Sequence, residues 1–188
     1  MEITFYRKLA NKVADAVISN QQYSEAEIKK IRYGLVCIFS DLYKTILFLL
    51  IFSIFSLTKE FVLAFLAIML LRPFLGGYHA KSEVACIFMS FSMLVLSIFL
   101  GKQNLIPSYI LIGLLAALPI LGALIAPVQI KEKKKGSLGT KLAVVIITIA
   151  LMSVDYFVFS SQIITLSVLE VYILAVYQQL INKLKYKL

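Results

Sequence analysis

Apolar residues fill most of this chain in long stretches separated by short polar breaks. A helix that crosses a bilayer needs about 20 predominantly apolar residues. Six stretches approach that requirement: 34–57, 61–71 extended by Phe74 and Leu75, 84–100, 109–126, 142–159 and 163–181. The pattern predicts an all-α polytopic membrane protein with about six transmembrane helices.

Residues 1–33 have a different pattern, because charges are mixed among scattered apolar positions. Helical spacing relates five of these apolar residues, namely Phe5, Leu9, Val13, Ala16 and Val17. This spacing predicts an amphipathic helix on the membrane surface, with a helix packed on a partner as the alternative. Further along, Ser24-Glu25-Ala26-Glu27 matches a capping box and predicts a new helix start.

Composition supports the membrane class. Of the 188 residues, 61% are apolar and 15% are charged. Soluble domains have about 25% charged residues. A soluble protein this small cannot bury so much apolar surface, which excludes a soluble domain, and disorder is excluded as well. We expect a single membrane domain over 1–188, with an N-terminal region at 1–33, transmembrane helices within 34–182 and a basic loop at 128–141.

The formal net charge is +9, and the basic residues lie between apolar runs. This placement favours lipid headgroups over nucleic acid as partners. Under the six-segment layout, alternate regions hold 16 Lys and Arg residues on one side and 2 on the other. The positive-inside rule then predicts that both termini, the 72–83 loop and the basic loop are cytoplasmic.

Several polar residues lie within the apolar stretches, where they are costly and hint at function. Asp41 and Lys44 have the spacing of an ion pair on one helix, while Asp155 and Glu170 have no evident partner in the sequence. A structural role is as reasonable for each of them. Gly122 and Ala126 fit the small-xxx-small pattern of helix packing.

The segment 72–86 holds the candidate chemistry. It contains the only histidine, His79, and one of two cysteines, Cys86. A cysteine and a histidine form a familiar nucleophile and base. On one continuous helix they would stand about 10.5 Å apart, too far for proton transfer. Residues 76–80 must therefore leave the helix, with Gly76-Gly77 as the hinge, or the two residues must meet across subunits. A lone histidine and the lack of Cys-x-x-Cys spacing predict no metal and no cofactor.

The residues Arg72, Gly76-Gly77-Tyr78-His79-Ala80-Lys81 and Cys86 closely resemble the accessory gene regulator B (AgrB) family. Those proteins are membrane cysteine endopeptidases of Gram-positive quorum sensing. The size, the six-segment layout and the Ala126-Pro127 step before the basic loop also resemble the family, although the loop is less proline-rich.

The resemblance implies that His79 and Cys86 are the catalytic pair and that the substrate is an AgrD-like precursor peptide with an acidic tail. It also implies a homodimer in the cell membrane of a Gram-positive bacterium. From the residues themselves, we expect Gly76 and Gly77 to supply oxyanion-hole donors or a hinge. Candidate substrate-binding residues are basic: Arg72, Lys81, Lys131, Lys133, Lys134 and Lys135.

Two alternative functions remain open at this point. A non-enzymatic peptide exporter or scaffold explains the helices but not the Gly-Gly-x-His…Cys cluster. A membrane transferase that uses His79 for phosphate or lipid chemistry does not need Cys86.

Overall fold

The computed structural model describes residues 5–19, 23–78, 80, 82–128 and 137–185. These ranges form seven α-helices: α1 (Phe5–Ile18), α2 (Glu25–Ile54), α3 (Thr58–Leu75), α4 (Glu83–Lys102), α5 (Ser108–Ile125), α6 (Leu138–Val154) and α7 (Ile163–Lys185). A π-helical turn, Asp155–Phe159, continues α6. The all-α fold is confirmed.

Five helices in the described part of the chain are long and apolar enough to cross a membrane: Glu25–Ile54, Glu83–Lys102, Ser108–Ile125, Leu138–Phe159 and Ile163–Leu184. Helix α3 covers the second predicted segment and is not among these five. It is 18 residues long and carries Lys59, Glu60 and Arg72. Large apolar side chains such as Ile54 and Leu124 are exposed on the helices, as expected of surfaces that face lipid. The chain is a polytopic membrane protein.

The contacts of the chain group into two compact units. In unit one (5–19, 23–58, 80 and 82–88), α1 packs against α2 through Tyr6, Ala10 and Ala14, which are buried. Asp15 and Arg32 tie the two helices together with an ion pair of 2.6 Å.

The predicted apolar positions of α1 lie largely outside this contact. Phe5 is 77% exposed, and Leu9 and Val17 are also exposed. Helix α1 therefore uses one face for α2 and leaves an apolar face outward. The predicted helix is confirmed, and its outward face has the character of a surface that lies on a membrane.

Two local predictions for α2 are confirmed. The Ser24 hydroxyl accepts from the Glu27 N–H at 3.4 Å, and the Ser24 N–H donates to the Glu27 carboxylate at 2.9 Å, which completes the capping box. Within the same helix, Asp41 and Lys44 form an ion pair of 3.9 Å.

Unit two (59–78, 89–128 and 137–185) has its core around α7. Buried residues of three helices form one apolar cluster there: Val168, Val171, Tyr172 and Ala175 of α7, Leu71 and Leu75 of α3, and Val144 of α6.

Helix α5 approaches this core at Gly122, where an added Cβ would collide with the hydroxyl of Tyr172. The close packing predicted at Gly122 is confirmed, whereas Ala126, the other member of the predicted pair, is buried but follows the end of α5.

Asp155 and Glu170 each have a hydrogen-bond partner outside their own helix. The carboxylate of Asp155 accepts from the Thr165 N–H at 2.8 Å and from the Ser161 hydroxyl at 2.9 Å, so it caps the start of α7. Glu170 accepts from the hydroxyl of Ser97 on α4 at 2.8 Å. Both acids therefore have a structural role in unit two.

Candidate active site in the segment 72–86

Helix α3 ends at Leu75 and α4 begins at Glu83, so the chain leaves the helical conformation between them, as predicted. The segment is divided between the two units, with 72–78 in unit two and 80 and 82–86 in unit one. His79 and Lys81 lie outside the described residues.

In unit two, Gly76 is held against Val128, which follows α5. The two residues form an isolated parallel bridge, and the Val128 N–H donates to the carbonyl of Leu75 at 2.8 Å. Gly76 has a φ of 78°, and a Cβ at this position would collide with the carbonyl oxygen of Val128. Only glycine accommodates both the left-handed backbone and the close approach.

The next two residues are held against α7. Gly77 has a φ of 137°, and a Cβ there would lie 3.3 Å from the backbone nitrogen of Ala175. The Tyr78 N–H donates to the carbonyl of Leu174 at 3.3 Å, and the Tyr78 ring packs edge-on against Tyr177 with centroids 5.3 Å apart. The backbone that leads into His79 is thus fixed by unit two.

Arg72 stabilises the same turn. Its guanidinium donates to the carbonyl of Tyr78 at 3.0 Å, and its own carbonyl accepts from the Gly76 N–H at 2.9 Å. The structure therefore brings Arg72 together with the Gly-Gly turn. The Gly76 N–H can serve an oxyanion only after this bond to Arg72 is released. The predicted roles of Arg72 in substrate binding and of the two glycines as oxyanion donors stay predictions.

In unit one, Cys86 is the fourth residue of α4 and is half-buried. Ser82 precedes the helix: its hydroxyl accepts from the Ala85 N–H at 3.2 Å, and its carbonyl accepts from the Cys86 N–H at 3.0 Å. Cys86 therefore lies in the first turn of α4, whose backbone N–H groups form the positive end of the helix dipole.

Cys37, in contrast, lies in the interior of α2, also half-buried. It interacts with Tyr33, one turn earlier on the same helix. A helix interior offers no such dipole end, because the effect is confined to the first and last turns.

Tyr43 is a residue at this site that sequence reasoning missed. Its hydroxyl donates to the carboxylate of Glu83 at 3.0 Å, and it also interacts electrostatically with Cys86. The available signal was the polar group formed by Asp41, Tyr43 and Lys44 within an otherwise apolar stretch.

The predicted basic cluster, Lys131, Lys133, Lys134 and Lys135, lies outside the described residues. Among the residues that the structure describes, no three His, Cys, Asp or Glu side chains are grouped so as to hold a metal ion.

The fold and the 72–86 segment define an integral membrane protein with a cysteine at a helix start and a glycine-fixed turn that leads into a histidine. Comparison with known families gives a specific assignment. The family model for AgrB, accessory gene regulator B, matches residues 10–182. The chain therefore belongs to the AgrB family.

Two relatives carry the same family name. An AgrB-like protein of Clostridium acetobutylicum is 30% identical over 106 residues, which cover 56% of this chain and 51% of the relative. An AgrB-like protein of Clostridium beijerinckii is 36% identical over 92 residues, covering 47% of this chain and 44% of the relative. The chain thus spans about half the length of the curated relatives that it matches. No solved structure matches the chain significantly.

The Gly76 contact leads to a stability prediction. Gly76→Ala should lower the free energy of unfolding by about 1–3 kcal/mol, because alanine is strained at this φ and meets the Val128 carbonyl. Gly113→Ala is the matched control, since nothing lies within 4 Å of a Cβ at Gly113. Thermal unfolding in detergent micelles compares the two, and equal midpoints would show that the close approach is not required.

Proposed function

We propose that this chain is a membrane cysteine endopeptidase that processes a quorum-sensing precursor peptide. Membership of the AgrB family supports a role in the accessory gene regulator system. The observation that carries the enzymatic proposal is the position of Cys86 in the first turns of α4, after the Ser82 cap. The fixed turn at Gly76-Gly77, which immediately precedes Tyr78 and His79 in the chain, supports it further.

The proposed reaction has two steps. The Cys86 thiolate attacks the carbonyl carbon before the precursor's C-terminal tail, and the peptide C–N bond breaks. His79 takes up the thiol proton and returns it to the leaving amine, so that the tail departs and a thioester forms. A cysteine thiol of the precursor then attacks this thioester, releases the Cys86 thiol and closes a thiolactone; a serine hydroxyl would give a lactone instead.

The second step constrains the site. Exchange of one thioester for another is nearly balanced, whereas hydrolysis is strongly downhill and would destroy the product. The site must therefore exclude water while the ring closes. A site at the membrane boundary meets this requirement more readily than an open surface.

The proposed substrate is an AgrD-like peptide with an amphipathic helix, a central signal sequence and an acidic tail. Basic residues would bind the tail: Arg72, Lys81, Lys131, Lys133, Lys134 and Lys135. The remaining partners in this proposal are membrane lipids and a second copy of the chain.

The assignment of the nucleophile has a direct test. Cys86→Ala should abolish cleavage of an AgrD-type precursor in lipid, because no thioester can form. Cys37→Ala should keep most of the activity, since Cys37 lies in a helix interior. Mass spectrometry of the products separates the two results, and equal loss in two folded variants would contradict the assignment.

The proposed orientation places both termini, the 72–83 loop and the basic loop in the cytoplasm, from the distribution of Lys and Arg. Both termini share one side only if the number of crossings is even, so α3 must cross in addition to the five apolar helices. Single cysteines at positions 81 and 102, in a cysteine-free background, test this. An impermeant reagent added outside should label position 102 and not position 81; the reverse pattern would overturn the orientation.

The basic loop provides a test of tail recruitment. Replacement of Lys131, Lys133, Lys134 and Lys135 with Gln should raise KM for the precursor and leave kcat nearly unchanged, because binding alone is lost. Each exposed pair contributes about 0.2–1 kcal/mol and is screened by salt.

The control for this test is a precursor with a neutralised tail. The rise in KM should shrink with that substrate if the lysines bind the acidic residues of the tail. A rise of the same size with both substrates would indicate binding of anionic lipid, to which a lysine contributes about 1 kcal/mol.

A further inference from the structure

One hydrogen bond in unit one joins a residue far back in the chain to the helix turn that carries Cys86. The Tyr43 hydroxyl on α2 donates to the Glu83 carboxylate at 3.0 Å. Glu83 is the first residue of α4 and Cys86 is the fourth, so the two side chains are neighbours on the same side of the helix. A bond to a carboxylate is about twice as strong as one between neutral groups.

Tyr43 is itself held in place by its surroundings in unit one. Its ring stacks on the buried ring of Tyr6 from α1, with centroids 5.1 Å apart and planes at 24°. The ammonium of Lys44 lies 5.9 Å from the Tyr43 ring centroid and pairs with Asp41. The hydroxyl is thus presented to Glu83 by a ring of restricted orientation.

We propose that Tyr43 is a positioning residue for Cys86 and acts through Glu83. By holding the Glu83 side chain, it fixes the first turn of α4, from which the thiol projects. It also places a hydroxyl donor on the carboxylate next to the thiol, and negative charge close to a thiol disfavours its reactive thiolate form. The inference rests on the proposed function, since the position of this thiol matters for turnover only if Cys86 is the nucleophile.

The kinetic test compares two hydroxyl deletions on α2 in the full chain reconstituted in lipid. With an AgrD-type precursor, Tyr43→Phe should lower kcat about tenfold, which corresponds to about 1.4 kcal/mol. KM should change less than about twofold, because ground-state binding is retained. Tyr33→Phe, at a tyrosine on the same helix that is 74% exposed, should leave both parameters unchanged.

A double variant tests the route through Glu83. Glu83→Ala removes the acceptor and so breaks the same bond from the other side, and Tyr43→Phe should then add little to its effect. Fully multiplicative losses in the double variant would overturn the route, and an unchanged kcat in Tyr43→Phe would overturn the inference altogether.

A second readout does not depend on cleavage. In a Cys37→Ala background, the rate at which iodoacetamide alkylates Cys86 should fall in Tyr43→Phe and not in Tyr33→Phe. Equal rates in all three proteins would overturn the inference. If the parent protein alkylates normally but cleaves no precursor, the proposed function fails while this comparison still decides the role of Tyr43.

Discussion

The need to pair every backbone polar group governs this structure. In a bilayer an unpaired N–H or carbonyl costs several kcal/mol, so irregular backbone persists at membrane depth only where other protein groups satisfy it. The turn after α3 meets this requirement through Val128 and α7: Val128 donates to the Leu75 carbonyl, and Tyr78 donates to the Leu174 carbonyl. The glycines at 76 and 77 allow the two close approaches on which this pairing depends.

Features set by neighbours in sequence could be predicted, and contacts set by the tertiary fold could not. The capping box at Ser24 and the Asp41–Lys44 pair each join residues one helical turn apart, and both predictions are confirmed. The break at Gly76-Gly77 was visible because glycine pairs interrupt helices. The partner of that break, Val128, comes only after α4 and α5 in the chain, and no local pattern connects the two.

The same distinction explains the polar residues within the apolar helices. Glu170 had no evident partner because Ser97 lies on α4, far earlier in the chain. Asp155 had none because its bond from the Thr165 N–H requires the turn between α6 and α7. Tyr43 was missed for a similar reason, since its partner Glu83 lies beyond the whole of α3. A polar residue within a membrane segment indicates that it needs a polar partner, but the packing of the helices decides which residue that partner is.

Helix α3 leads directly into the turn that precedes His79. Its apolar interior lies between Glu60 and Arg72. That interior is much shorter than the roughly 20 apolar residues that a helix needs to cross the hydrocarbon core. One end is anchored by the Glu60–Lys102 ion pair of 3.1 Å, and the other by the bond of 3.0 Å from Arg72 to Tyr78.

A segment this short crosses only if the bilayer thins locally or the polar ends lie among protein groups. If α3 crosses, either solution leaves the turn that leads to His79 close to the membrane boundary. The proposed thioester exchange must outrun hydrolysis, so it requires a location where water is scarce. Under the proposed function, a turn at the membrane boundary would provide that location.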